Sequence, residues 1–238
     1  MCFSYEASRN NFIINIITSY ILYNYKNKSI YKILGISFGY VGIMQLFDMI
    51  FWSTQNIKDQ SQKNINYVTT KIAMFVNHSQ PIVFAYIIYY FQGKLGLLSL
   101  LSLIFYILVI SIYTYYVYYK INYTLVQDMQ IDWLDKQKKP ILKWEWTEKQ
   151  PYAYFVYTIF LLTTIILSYE NLPNPFNIIV SCIGIITILF SFHYFKDLYM
   201  GRFWCKITAF VPLIFIIINY IKNLKALKAL KAFKKLKN

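Results

Sequence analysis

Phe38-Gly-Tyr-Val-Gly-Ile-Met-Gln-Leu-Phe-Asp-Met-Ile-Phe-Trp52 decides how this chain is read. Together with the apolar residues before it, the stretch is long enough to cross a bilayer, which takes about 20 residues. Yet it carries Gln45 and Asp48. A carboxylate at the centre of a membrane span costs about 2.5–3.5 kcal/mol on insertion scales. Such a group normally faces other helices and has a partner there. At 100° per residue, Gln45, Asp48, Trp52 and Asn56 fall on one helical face. A second polar span, Phe75-Val-Asn-His-Ser-Gln-Pro81, offers His78 as that partner.

Working outward, apolar runs of similar length recur along the 238 residues, of which 58% are hydrophobic and 14% charged. A soluble domain has about 25% charged residues, so the composition excludes an ordinary soluble enzyme or binding module. The fold class read from the sequence is all-α: a polytopic seven-transmembrane-helix bundle. The predicted spans are Phe12–Tyr25, Ile33–Trp52, Tyr67–Phe91, Leu95–Tyr119, Tyr152–Tyr169, Phe176–Phe195 and Phe203–Ile221. Residues 1–221 form one transmembrane domain and 222–238 a lysine-rich tail. No cleavable signal peptide is expected, and the first helix would act as a signal anchor. Between spans four and five, Val126, Met129 and Trp133 group opposite Asp128, Asp132 and Asp135 on a helical wheel. That pattern predicts an interfacial amphipathic helix within 125–149. Asp128-x-x-x-Asp132 resembles the paired carboxylates of membrane prenyltransferases, but a single copy reads as a solvated face.

The net charge is +14. The positive charge sits in short loops and in the tail, so the counter-charge is an anionic lipid headgroup and not nucleic acid. Lys222, Lys225, Lys228, Lys231, Lys234, Lys235 and Lys237 supply seven cations beside the last span. Their three-residue repeat winds around a helix and forms no stripe. Seven spans place the termini on opposite sides. Lys26, Lys28 and Lys32 after the first span, and the tail, put the C-terminus in the cytoplasm and the N-terminus outside it.

Tracing span directions, Gln45, Asp48, Trp52, His78, His193, Trp204, Cys2 and Cys205 all fall between mid-membrane and the face carrying the N-terminus. Each has two readings. Asp48 either locks helices together through His78 or Lys71, or serves a functional site. Pro81 either kinks the third span and frees a carbonyl, or merely packs. Trp52 and Trp204 suit a headgroup belt as well as a site. His193 sits near an interface, where a histidine is ordinary. Cys182 reads as a small apolar filler. Cys2 and Cys205 could form a disulfide or simply pack, hold a metal with the histidines, or supply a thiol nucleophile. No ligand spacing such as Cys-x-x-Cys supports the metal.

The opening Met1-Cys2-Phe3-Ser4, with Gln45-x-x-Asp48-x-x-x-Trp52, His78-x-x-Pro81 and Gly201-x-x-Trp204-Cys205, resembles an uncharacterised family. Its members are small seven-span membrane proteins of bacteria and giant DNA viruses that open Met-Cys-(Phe/Trp)-(Ser/Asn). The resemblance implies seven spans and carries no function. This chain has Asp48 where that pattern has Glu, and Arg202 where it has Ser.

Three functions fit this reading. The first is binding, sensing or transport of a small-molecule or ion ligand at an Asp/His site opening to the N-terminal face. The second is an intramembrane lipid-modifying enzyme using Asp48 and His78 as an acid–base pair. The third is a structural component of a viral or organellar membrane. The sequence names no cofactor.

Overall fold

The computed structural model describes residues 4–131, 138–147, 150, 152–194, 207–221 and 223, with side chains for these except 127–131, 138–141 and 190–194. The helices are α1 (Tyr5–Tyr23), α2 (Ser29–Ser53), α3 (Gln60–Gln92), α4 (Leu97–Tyr118), α5 (Ala153–Asn171) and α6 (Phe176–Tyr194). A further helix, α7, runs over Val211–Ile221. Four of them, α2 to α5, are long and apolar enough to cross a bilayer, while Phe176–Leu189 and α7 are shorter apolar helices. The protein is a multi-span helical membrane protein. These six helices lie where the second to seventh spans were expected. Helix α1 lies where the first was expected but is not apolar enough to be counted with them.

The distribution of polarity is inverted relative to a soluble protein. On α1, Asn15, Thr18 and Ser19 are buried, whereas Ile13, Ile16, Ile17 and Ile21 point outward. On α3, Asn66, Thr70, Asn77, His78 and Gln80 are buried, and Val68, Ile72 and Phe75 are exposed. A helix facing water places its residues the other way round. The surroundings that make this arrangement stable are lipid.

Small residues set the closest contact. Gly35, Gly39 and Gly42 on α2 form a groove for α1, in the small-xxx-small manner of membrane helices. A Cβ at Gly35 would lie 2.7 Å from the Ser19 carbonyl oxygen, and one at Gly42 would lie 1.9 Å from the Asn15 side-chain oxygen. Helix α7 and the turn before it complete this side. The Asn15 amide donates to the Ala209 carbonyl at 3.3 Å, and the Tyr31 hydroxyl donates to the Asn219 side-chain oxygen at 2.9 Å.

Helix α3 is central and packs on α2, α4 and α5. It starts on an Asp59 cap, whose carboxylate accepts from the Ser61 amide at 2.8 Å. It stops at Gly93, which adopts a left-handed φ of 75° that favours glycine. The apolar α4 is held at its two ends by charges from its neighbours. At the N-terminus, the Glu170 carboxylate accepts from the Ser99 amide at 2.7 Å and Asn171 accepts from the Gly96 amide at 3.0 Å. At the C-terminus, the Lys71 ammonium donates to the carbonyls of Tyr118 and, at 2.8 Å, Ile121. An anion at the N-terminus and a cation at the C-terminus both complement the helix dipole. Lys71 is thus committed to α4 and is not the expected partner of Asp48.

The flat amphipathic helix expected within 125–149 is not what the chain forms. Strands β1 (Leu125–Ile131) and β2 (Lys138–Lys143) pair antiparallel, Leu125 opposite Lys143 and Ile131 opposite Lys138. Two causes act against a helix. Pro140 has no amide hydrogen to continue one. The chain leaving α4 is also pinned extended. The Thr124 amide donates to the Asn66 side-chain oxygen at 2.9 Å, and the Val126 amide donates to that of Gln55 at 2.7 Å. Val126 and Met129 of the wheel pattern therefore lie on a strand, while Trp133, Asp132 and Asp135 lie outside the described residues.

Candidate functional site

The stretch that opened the reading is α2, and its polar residues face inward as expected. Gln45 is fully buried and Asp48 is 1% exposed. Trp52 is partly buried against the same core cluster, and Asn56 lies beyond the helix end at Ser53. No hydrogen bond joins Asp48 to His78. The Asp48 carboxylate instead accepts a hydrogen bond from the Trp144 indole Nε1 at 2.8 Å, across 96 residues of sequence.

Trp144 arrives from the end of the hairpin. Residues Leu142, Trp144 and Trp146 are all buried in the core cluster formed by α2, α3, α4 and α5. The two indoles stack with ring centres 5.2 Å apart and planes 17° apart. The Trp146 carbonyl accepts from the Tyr113 hydroxyl at 2.7 Å, which fastens the segment to α4. The chain's own tryptophans thus fill the core beside Asp48. Sequence reasoning missed both. The alternation Trp144-Glu-Trp146 does not mark them either, because the segment is a turn, closed by the Thr147 amide donating to the Trp144 carbonyl at 3.1 Å, and not an extended strand with one inward face.

His78 lies 3% exposed on the neighbouring side of the same cluster. Its Nδ1 sits 2.7 Å from the Thr114 hydroxyl, and its carbonyl accepts from the Tyr106 hydroxyl at 2.6 Å. Its ring lies between Tyr113 and Tyr157, at 5.7 and 6.1 Å between centres. Tyr157 in turn donates to Asn77. The Nε2 of His78 is buried with no hydrogen-bond partner, and so is the indole nitrogen of Trp146. Helix α3 continues through Pro81 without interruption.

The structure therefore brings Asp48 and His78 into one buried polar and aromatic cluster but gives each its own partner. An acid–base pair made of these two atoms alone is not formed. Among the described residues, no group of three or more His, Cys, Asp and Glu is placed to hold a metal. His193 falls in the last turn of α6, and its side chain is outside the described set. Cys2, Trp204, Cys205, Lys222, Lys225, Lys228, Lys231, Lys234, Lys235 and Lys237 lie outside the described residues. Cys182 is a free thiol on the exposed face of α6, not an internal filler. Comparison with known proteins finds no family model, curated protein or solved structure that matches the chain.

Proposed function

We propose that this protein is a seven-span membrane protein that binds a small ligand or ion at the buried site built on Gln45, Asp48 and His78, as a sensor or transporter. The observation that carries this reading is the Asp48 carboxylate, buried in a membrane helix and answered by an indole from a separate hairpin. Holding two helices together does not require a carboxylate. An asparagine accepts the same hydrogen bond without the cost of a charge in the bilayer.

Helix α1 counts as the first span in this proposal, on the strength of its outward-facing isoleucines. The side carrying the loop between α5 and α6 is cytosolic, and Lys222 to Lys237 rest against anionic headgroups. The family resemblance belongs to the same proposal.

The test is thermal unfolding of the purified protein in nanodiscs against a panel of monovalent and divalent cations, and across pH 5–8. A concentration-dependent rise in Tm is expected in wild type and is expected to vanish in Asp48→Asn. A panel that moves neither protein, or moves both equally, sinks the reading in favour of a purely structural carboxylate.

A further inference from the structure

A small cavity lies inside the bundle where α2, α3, α5 and α6 meet. It measures about 20 Å³, and three polar side chains line it: Ser37 from α2, Gln80 from α3 and Thr164 from α5. Their neighbours are apolar, with Val41 on one side and Val180 on another. Ser37, Gln80 and Thr164 are all buried, Gln80 at 5% exposure. Thr164 stands near the middle of the 19-residue α5, so the cavity lies deep in the hydrocarbon. Lipid tails offer no hydrogen bonds at that depth.

Hydrogen bonding around this cavity is incomplete. Neither Nε2 nor Oε1 of Gln80 has a partner among the described residues, and nor does Ser37 Oγ. A buried amide left in that state costs free energy. A hydroxyl has a local remedy, because it can turn to a carbonyl of its own helix. Thr164 does so, donating to the Phe160 carbonyl at 2.9 Å. The Gln80 oxygen has no such recourse. The N–H groups inside a helix are taken by the helix's own carbonyls, and the next residue, Pro81, has no N–H at all. Ser37, on the facing helix, is not bonded to it either. The missing donor has to come from something held in the cavity.

We infer that this cavity is a binding site for one water molecule, held in mid-membrane between α2, α3 and α5. Size selects it first: about 10–15 Å³ admits a water, and an organic ligand needs far more. Chemistry selects it again. The amide presents an unanswered donor and an unanswered acceptor together. A cation would satisfy the oxygen and be repelled by the N–H, and an anion would do the reverse. A water accepts from Nε2 and from the Ser37 hydroxyl, and donates to Oε1 and to Thr164 Oγ1, whose own hydrogen is already given to Phe160. All four of its bonds are then made. The bound water thus ties three spans together where no side chain reaches across. This site does not rest on the Asp48 reading, since neither Asp48 nor Gln45 lines the cavity.

The experiment is X-ray hydroxyl-radical labelling of the full chain in nanodiscs, in which radiolysis of a bound water oxidises the side chains that touch it. Phe38, Phe84 and Phe160 line the cavity and are buried. Met74 is fully buried, does not line it, and is the more oxidisable side chain. The three phenylalanines are expected to label faster than Met74, and to fall to its rate in Gln80→Met. Phenylalanine labelling no faster than that of Met74 overturns the proposal. Labelling unchanged in Gln80→Met also overturns it, because the amide then holds no water. A Tm rise in sodium or potassium chloride over choline chloride that Gln80→Met abolishes and Asp48→Asn keeps would place a cation in the cavity, and overturns it too. The comparison of the phenylalanines with Met74 needs no variant, so it decides the matter even if Gln80→Met does not fold. The Asp48 reading is scored separately, because Asp48→Asn is expected to leave the phenylalanine labelling unchanged.

Discussion

Asp48 takes a hydrogen bond from the Trp144 indole, and that partner determines what each substitution does. Trp144→Phe removes the donor and leaves a buried carboxylate short of one bond, a loss of about 1.5–3 kcal/mol. Asp48→Asn keeps an oxygen to accept from the same indole. Trp144→Phe is therefore expected to lower the Tm in detergent more than Asp48→Asn does. The double variant is expected to be less destabilised than the sum of the two. Equal and additive losses would show that the bond contributes nothing. The burial of Asp48 was legible in the sequence, because a carboxylate in an apolar run has to face inward. Its partner was not, because the donor comes from a segment 96 residues away whose wheel pattern suggested a helix. His78 was legible as a buried polar residue for the same reason. Its partner Thr114 was hidden, since a threonine in an apolar span is ordinary and usually bonds its own backbone.

The four clear spans and two shorter apolar helices were legible because an apolar run is a local property of the chain. How helices meet depends on single residues that the run does not weigh. Gly35 and Gly39 stand four apart on α2 and look equivalent in sequence. In the structure a Cβ at Gly35 meets the α1 backbone at 2.7 Å, whereas one at Gly39 meets Ser19 Cβ at an ordinary 3.5 Å. Gly35→Ala is expected to destabilise by about 1–3 kcal/mol, as overpacking does. Gly39→Ala is expected to be neutral or slightly stabilising, and Tm values of the two variants check the contrast. Helix α4 supplies a second case. It is the least buried of the four clear spans, so its end contacts carry much of its placement. Glu170→Gln and Lys71→Met are each expected to lower the Tm through the lost dipole interaction. The two sites sit at opposite ends of a 22-residue helix, so their costs should add. A strongly non-additive double variant would mean that α4 shifts as a body when either end is released.

For the molecule as a whole, the proposed orientation makes the loop between α5 and α6 cytosolic. Asn174 is exposed in that loop, and Lys58 is exposed in the loop between α2 and α3 on the opposite face. In a background with Cys2, Cys182 and Cys205 replaced, Lys58→Cys is expected to react with an impermeant maleimide on intact cells. Asn174→Cys is expected to react only after permeabilisation, and the reverse pattern would invert the topology. The inverted polarity of α1 has a consequence for biogenesis. A helix with Asn15, Thr18 and Ser19 on one side has no good place in lipid until something covers that side, and what covers it here is the glycine face of α2. The two helices are therefore expected to leave the translocon as a hairpin, with the second retaining the first. A nascent chain truncated after Lys28 should wash out of microsomes with alkaline carbonate, and one truncated after Ser53 should stay.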